Sequence, residues 1–300
     1  MNNEIFEKIQ EIAGSGNVRR DEIMAPHMSM KVGGPADCFV EACDTDTLAA
    51  LIKYLNEETI EYYVLGNGSN CIIRDEGYRG VIICTKDKMT GVSVCGERIT
   101  AQAGIGLKEL AEAAFDASLT GLEFASGIPG SLGGAVTMNA GAYDGEMKNV
   151  IETVTVIDRA GNIVELKNEE CDFAYRHSTF SAGDYVVISA QLKLQKGSQS
   201  EIRERMDDLE GRRAAKQPLE VPSCGSTFKR PEGYYAGKLI MDAGLAGARC
   251  GGASVSTKHC GFVVNDKNGS AKDVLDVISM VQKKVKEQFG VELECEVKVL

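Results

Sequence analysis

Residues 121–145, GLEFASGIPGSLGGAVTMNAGAYDG, place seven glycines among small residues, and the only charges, Glu123 and Asp144, stand near the two ends. Glycine is unfavourable inside helices and strands, so a run this rich in it marks backbone that turns sharply or lies close against something. A flexible linker is the plain alternative. Linkers, however, are hydrophilic and rich in Ser and Pro, whereas this stretch carries Leu122, Phe124, Ile128, Leu132, Val136 and Met138. It is poor material for a core of its own and suits a ligand instead. A pyrophosphate fits best, because successive free N–H groups in tight turns form a concave nest for anions without any positive side chain.

A second glycine turn points the same way. Glu61–Leu65 reads as a buried strand running into Gly66-Asn67-Gly68-Ser69-Asn70, after which Cys71–Arg74 resumes an extended pattern. A dinucleotide fold of the Rossmann type needs a third glycine at position 71 and a helix aimed at the phosphates; the residue is Cys71 and the continuation is β-like. Taken alone, the turn is equally a β-hairpin loop, since Asn-Gly is a favoured hairpin dipeptide. Gly104-Ile105-Gly106 lacks a third glycine and reads as the start of the helix over 107–117. No GxxxxGK[ST] phosphate loop occurs.

The 300 residues, 43% hydrophobic and 26% charged, are enough for two or three cores of a water-soluble protein. A net charge of −11 argues against nucleic acid or an anionic membrane as the main partner. An anionic substrate then requires locally concentrated cations. MNNEIFEKIQEIAG reads as an amphipathic helix, neither secretory signal nor membrane anchor, so a cytoplasmic location is expected. The ten cysteines are scattered with no CxxC, and His27, His177 and His259 lie far apart, so no metal site is expected and the thiols are expected to be free.

Ala36–Ala42, Thr47–Glu58 and Glu61–Leu65 alternate strand, helix and strand. From Val81 to Leu194 the pattern is mainly extended, with strands at 92–95, 99–103, 150–158, 163–166 and 186–194. The polar helix 198–216 ends at Pro218 and marks a boundary. Beyond it come a short helix near 238–243, a strand at 261–265 and a long helix with Ser270 as N-cap and Asp273 at the capping-box position. The chain closes on an alternating strand, with Val291, Leu293, Cys295, Val297 and Val299 on one face. An α+β protein follows, with residues 1–200 as one domain in lobes 1–85 and 86–200, and 201–300 as a second whose last strand returns to the first.

Four polar clusters stand in unusual company. Tyr175-Arg176-His177 sits among Phe173 and Phe180, and arginine among aromatics is favoured where a planar carboxylate is gripped through two hydrogen bonds; a structural cation stacked on rings is the alternative. Arg212-Arg213-Ala214-Ala215-Lys216 is a positive patch or a solvated helix face. Ser226, after Gly225, is a chemical hydroxyl or a turn residue, and no GxSxG elbow accompanies it. Glu294 and Glu296 share the polar face of the last strand, and the pattern does not separate them.

Taken in order, GNGSN, SGIPGSLGGAVTMNAGAY, YRHSTF, CGSTFKRP, STKHCGFVVN and LECEVKVL resemble the UDP-N-acetylenolpyruvoylglucosamine reductases over almost the whole chain. The resemblance implies a two-lobed FAD-binding fold of the vanillyl-alcohol-oxidase type with a C-terminal α+β substrate domain. It implies noncovalent FAD, NADPH as hydride donor, and reduction of the enolpyruvyl group of UDP-N-acetylglucosamine enolpyruvate. Gly66, Asn67, Gly68, Ser69 and Asn70 would hold the cofactor, together with Gly127, Ile128, Pro129, Gly130, Ser131, Gly133, Gly134, Ala135, Asn139, Ala140 and Gly141. By the same match Arg176, Ser226 and Glu296 are the catalytic residues, and Tyr175, Lys216 and Arg230 touch the substrate. His177 and Asp144 depart from common family residues. The short connection from Phe180 to Val186 marks the shorter form, without the loop whose tyrosine folds over the substrate. Relatives that tether FAD use a histidine near the pyrophosphate turn, and none lies between His27 and His177.

Overall fold

The computed structural model describes residues 1–300, and the chain folds into two compact units. The first comprises Met1–Asp21, Asp37–Asn67 and Arg79–Arg212; the second comprises Glu22–Ala36, Gly68–Tyr78 and Arg213–Leu300.

The first unit is built on two sheets. Four strands, in the order Val18–Ile23, Pro35–Glu41, Tyr78–Cys84 and Tyr62–Leu65, form one of them, and Tyr62–Leu65 runs parallel to Tyr78–Cys84. Helix α1 (Asn3–Ala13) starts where the Asn2 side chain accepts the Ile5 N–H, and it buries Ile9 and Ala13. Helix α2 (Thr45–Glu57) is capped by Asp44 and buries Leu48, Leu51, Ile52 and Leu55 against Cys38, Val40, Val81 and Ile83. The other sheet has five antiparallel strands in the order Ile163–Lys167, Ile151–Asp158, Tyr185–Lys193, Arg98–Gln102 and Val92–Cys95. Its core also takes in helix α3 (Leu107–Asp116) and helix α4 (Leu132–Thr137).

Helix α4 corrects one reading of the glycine-rich stretch. Leu132 and Val136 are fully buried and Ala135 nearly so, so this segment contributes to a core as well as turning. Its glycines permit the approach: a Cβ on Gly133 would lie 2.9 Å from the Ala103 Cβ, and the Gly133 N–H donates to the Ala103 carbonyl at 2.8 Å. The short strand Val18–Ile23 was also unforeseen, because its VRRDEI pattern buries only Val18.

Helix α5 (Gln199–Lys216) begins in the first unit, and its last turn, from Arg213, belongs to the second. The second unit contains helix α6 (Ala236–Asp242), helix α7 (Ala271–Phe289) and a three-stranded antiparallel sheet of Arg249–Cys250, Ala253–Val255 and Val263–Val264. Ser270 and Asp273 form the expected capping box of α7, and the Asp75 carboxylate accepts the Ala271 and Lys272 N–H groups at 2.8 Å. Val274, Val277, Ile278, Val281 and Val285 bury one stripe of it.

The GNGSN turn is not a hairpin loop. Tyr62–Leu65 pairs with Tyr78–Cys84, whereas Cys71–Ile72 pairs in parallel with Lys298–Val299. The last ten residues are likewise not one continuous strand. Leu293 and Val297 are buried as the alternation requires, but Cys295 makes only an isolated bridge to Phe228 before Lys298 and Val299 join Cys71 and Ile72. The segment serves two partners in succession and so forms no single ladder. No helix is long and apolar enough to cross a membrane, and no three His, Cys, Asp or Glu side chains come together as metal ligands.

Candidate active site

In the first unit the two glycine motifs meet. A Cβ on Gly66 would lie 2.0 Å from the Ser131 Oγ, so the strand end at Leu65 and the start of α4 approach closely at this glycine. The backbone N–H groups of Gly66, Asn67, Ser131 and Gly134 donate to no protein acceptor, whereas those of Leu132 and Gly133 are taken by Ile105 and Ala103. Free, closely spaced N–H groups beside backbone with no room for a side chain are suited to an anion such as a pyrophosphate. The residues present therefore fit FAD. Ile128 and Gly130 are drawn into the bend by their own hydrogen bonds, Ile128 N to Ala125 O and Gly130 N to Ile128 O, with Gly127 and Pro129 between them.

Farther along the stretch the same neighbourhood holds Arg176. Ala174 and His177 exchange both backbone hydrogen bonds, at 3.1 and 3.2 Å, around Tyr175 and Arg176. Arg176 has φ +55 and Tyr175 does not have positive φ, which is the pattern of a type II turn with arginine where glycine or asparagine is usual. Its guanidinium donates to the Gly141 carbonyl at 3.2 Å and lies 5.0 Å from the Tyr175 ring centroid. The stacking partner Tyr175 is itself exposed, so the cation–ring contact lies at the surface of the protein. His177 pairs with Asp172 at 3.3 Å, outside this turn. Ala140 and Gly141 are used internally: Ala140 N donates to Ala135 O, and Gly141 pairs with Glu146.

In the second unit Gly68 has φ +60, and a Cβ there would lie 2.4 Å from the His27 carbonyl oxygen. The His27 ring is engaged with Glu22 at 2.8 Å. Ser69 follows in the turn, and Asn70 Nδ2 donates to the Glu296 carbonyl at 3.2 Å while Lys298 N donates to Asn70 O. The turn thus braces the segment that carries Glu296, a connection with no signature in the sequence.

Ser226 follows Gly225, whose φ is +71, and is exposed. Its neighbour Thr227 is buried and held on four sides: Thr227 N donates to Gly261 O, Val263 N to the Thr227 hydroxyl, and Glu296 N and the Cys295 thiol to the Thr227 carbonyl. Thr227 was missed as a site residue because a Ser-Thr pair after glycine looks like any turn. The structure also separates the two glutamates. Glu294 is 70% exposed and bound to Lys229 at 2.5 Å, whereas Glu296 is half-buried opposite Thr227.

Lys216 ends α5. Burial, with the charge of Lys216 adding to it, holds the His259 imidazole below its ordinary value, and His259 Nδ1 accepts the Gly261 N–H at 3.1 Å. Arg230 stacks on Tyr235 at 4.0 Å and donates from Nε to the Tyr234 carbonyl. Burial pushes the Cys224 thiol far up, so this cysteine, two residues before Ser226, is protonated and inert.

A family model for the UDP-N-acetylenolpyruvoylglucosamine reductase C-terminal domain matches residues 217–300, and one for an FAD binding domain matches residues 36–167. The chain is 50% identical over 297 residues to the UDP-N-acetylenolpyruvoylglucosamine reductase of Clostridium novyi, covering 99% of this chain and 96% of that one. The chain belongs to the UDP-N-acetylenolpyruvoylglucosamine reductase family. The reductase of Clostridioides difficile is 49% identical over 299 residues, 100% of this chain and 98% of that one. The crystal structure of the reductase from Thermus caldophilus superposes with a TM-score of 0.81 at 35% identity, covering 94% of this chain and 98% of that chain. Phl p 4.0202, a glucose dehydrogenase, shares the fold alone, with a TM-score of 0.54 at 15% identity over 66% of this chain and 45% of its own. The expected α+β fold, an FAD-binding domain followed by the C-terminal domain of the reductase family, is borne out.

Proposed function

We propose that Arg176, Ser226 and Glu296 carry the chemistry of this chain, and that residues 1–200 serve as its FAD-binding domain and 201–300 as its substrate-binding domain. The activity is that of the family: NADPH-driven, FAD-dependent reduction of UDP-N-acetylglucosamine enolpyruvate to UDP-N-acetylmuramate, a step of peptidoglycan precursor synthesis. Bound FAD supplies the two-electron chemistry, accepting hydride from NADPH and delivering it to the enolpyruvyl double bond.

Reduction at one alkene carbon drives negative charge into the adjoining carboxylate, and a fixed donor pair aimed there lowers the barrier. Arg176 supplies that pair through its planar fork. The other carbon requires a proton, which the Ser226 hydroxyl gives; a weak acid suffices because the developing carbanion is strongly basic and the donor is held in place. Glu296 polarises the carboxylate end. Tyr175, Lys216 and Arg230 contact the substrate, the two cations offsetting its diphosphate in a chain of net charge −11. Gly66–Asn70, Gly127–Ala135 and the backbone around Ala140 and Gly141 receive FAD noncovalently.

The register at Thr227 is the observation that carries these roles. It sets Ser226 in an exposed turn beside the half-buried Glu296, while Glu294 is tied to a lysine in solvent. All ten cysteines are free, which accords with a cytoplasmic enzyme drawing on NADPH and a nucleotide sugar.

The visible spectrum of the purified protein tests the reading. A yellow protein is expected, bleached by NADPH without oxygen and recoloured by UDP-N-acetylglucosamine enolpyruvate, with the flavin released on denaturation. Colourless protein that takes up no added FAD removes the mechanism. Bleaching without recolouring by the substrate leaves a flavoprotein of some other reaction.

A further inference from the structure

Asn139 lies at the end of helix α4, fully buried and with φ +41. Asparagine is one of the few residues besides glycine that enters left-handed backbone readily. Its Nδ2 donates to Glu146 Oε2 at 2.8 Å and to the Ala174 carbonyl at 3.0 Å, and its Oδ1 accepts the Lys148 N–H at 2.9 Å. Two acceptors on one side and an N–H on the other establish which end of the amide is which. Both amide protons are engaged inside the protein, so the side chain keeps no donor for a ligand.

Ala174 opens the turn that presents Tyr175 and Arg176. That turn is consequently fastened to the glycine-rich stretch at two points, by Asn139 Nδ2 on the Ala174 carbonyl and by Arg176 Nη2 on the Gly141 carbonyl. Glu146 closes the arrangement. It pairs through its backbone with Gly141, takes the Asn139 amide on Oε2, and binds Lys148 Nζ on Oε1 at 2.7 Å. The strained arginine turn cannot hold its place through local preference alone, because left-handed φ is unfavourable for arginine and persists only where surrounding contacts impose it.

The geometry points to Asn139 as a positioning residue for Arg176, oriented by Glu146, rather than as a contact to FAD. The inference rests on the role proposed above for Arg176. Its chemical sense is that a guanidinium fork works only when its two N–H vectors meet the carboxylate, and a displacement of about 1 Å costs on the order of 10²-fold in rate.

Asn139→Asp is the informative variant. It keeps the shape of the side chain and the acceptor for Lys148, but it replaces both donors with a carboxylate facing Glu146. The expected outcome is an FAD affinity, read by flavin fluorescence, within about 3-fold of the parent, and bleaching by NADPH at close to the parent rate. Turnover should fall by about 10–10²-fold, in kcat rather than in KM. A double-mutant cycle with Arg176→Lys decides whether the effect runs through the arginine: in that background Asn139→Asp should cost less than about 2-fold. Adding Glu146→Gln to Asn139→Asp restores a donor toward residue 139 and should recover part of the turnover. If Asn139→Asp does not fold, Glu146→Ala alone, at a partly exposed residue, should give a milder loss at the same step.

Weakened FAD binding with normal turnover per bound flavin would overturn the inference in favour of a cofactor contact. Losses that multiply in the cycle would overturn it in favour of an effect independent of Arg176. Near-parent turnover of Arg176→Lys sinks the underlying role of the arginine, and the positioning role with it; a dead Arg176→Lys with a fully active Asn139→Asp sinks the positioning role alone.

Discussion

The Glu296 N–H donates to the Thr227 carbonyl at 2.8 Å, and with the Phe228–Cys295 bridge this bond sets how the segment carrying Ser226 and the segment carrying Glu296 lie beside one another. Two residues along on each segment the partners differ. Lys229 N donates to Glu294 O, and the Lys229 ammonium binds the Glu294 carboxylate. The ExE pattern, in which the two glutamates are equivalent by alternation, is thereby resolved by what faces each of them.

Glu294→Gln is expected to leave kcat within about 2-fold of the parent, because an exposed ion pair contributes ~1 kcal/mol or less and touches no reacting atom. Glu296→Gln is expected to lower kcat by about 10²-fold, the lower end of what a positioned acid–base group contributes. Steady-state kinetics of the two variants side by side check this. Equal losses would mean that the segment, and not the Glu296 carboxylate, matters.

Much of the fold was legible because periodicity and capping act locally. Ser270 sits where α7 begins, and the apolar stripe of α7 is buried as its spacing requires. The glycine-rich stretch was legible as close-packed backbone but not as helix, because three turns of context, Ala103, Ile105 and Ser131, determine that Leu132–Thr137 coils. The candidate site was legible only through the order of its motifs. That Asn139 braces the Arg176 turn and that Asn70 braces Glu296 depends on contacts between residues 35 and 226 positions apart, which no local pattern encodes.

Arg176 occupies a position where glycine is conformationally preferred, so the role proposed for it and local backbone stability are opposed there. Arg176→Gly relieves about 1 kcal/mol of left-handed strain, which offsets in part the loss of a ring contact of about 0.5–1 kcal/mol and of the hydrogen bond to Gly141 at about 1 kcal/mol. The melting temperature should stay within a few degrees of the parent. Turnover should fall at least about 10²-fold, as for removal of a preorganised transition-state donor. Arg176→Lys should match it in turnover, since an ammonium cannot supply two parallel hydrogen bonds. Calorimetry and kinetics on the same preparations test the pairing; a collapse of stability in Arg176→Gly would make the arginine structural.

Gly66→Ala places a methyl 2.0 Å from Ser131 Oγ, at a turn whose Gly66 and Asn67 N–H groups have no backbone acceptor. The variant should bind FAD at least about 10-fold more weakly, equivalent to about 1.4 kcal/mol, measured by flavin fluorescence on the apoprotein. Combining it with Ser131→Gly removes the protein–protein clash. If the glycine serves the cofactor, the double variant regains thermal stability without regaining flavin affinity; recovery of both would assign Gly66 to packing alone.

Arg203 grips Glu112 through two hydrogen bonds, at 3.0 and 2.6 Å, and holds its carboxyl below the ordinary value against the opposing effect of burial. A lowered native pKa means that the unfolded chain binds the proton more readily. The stabilisation is therefore fully present above the unfolded value and disappears as pH falls through the lowered native one. The pair is about one-third exposed on each side, which limits its worth to ~1 kcal/mol or less. Glu112→Gln should lower the melting temperature slightly at pH 7, and the gap to the parent should close in acid. A gap that widens with acidification would contradict the assignment.

Ser226 acts, in the proposed scheme, only where a proton must reach carbon, which divides the catalytic cycle cleanly. Bleaching of the bound flavin by NADPH needs no proton from the serine, so Ser226→Ala should bleach at close to the parent rate. Return of colour on adding the enolpyruvyl substrate does require protonation, and removing a placed general acid should slow it by about 10²–10⁴-fold. Thr227 remains pinned by Gly261, Val263 and Glu296 in this variant, so the exposed hydroxyl is lost without disturbing the turn that carried it. Ser226→Cys, which retains an ionisable proton, should fall between the two. Stopped-flow absorbance of the two half-reactions, recorded separately, discriminates the possibilities: equal slowing of both assigns Ser226 to positioning of the flavin, and slowing of neither reduces it to a turn residue after Gly225.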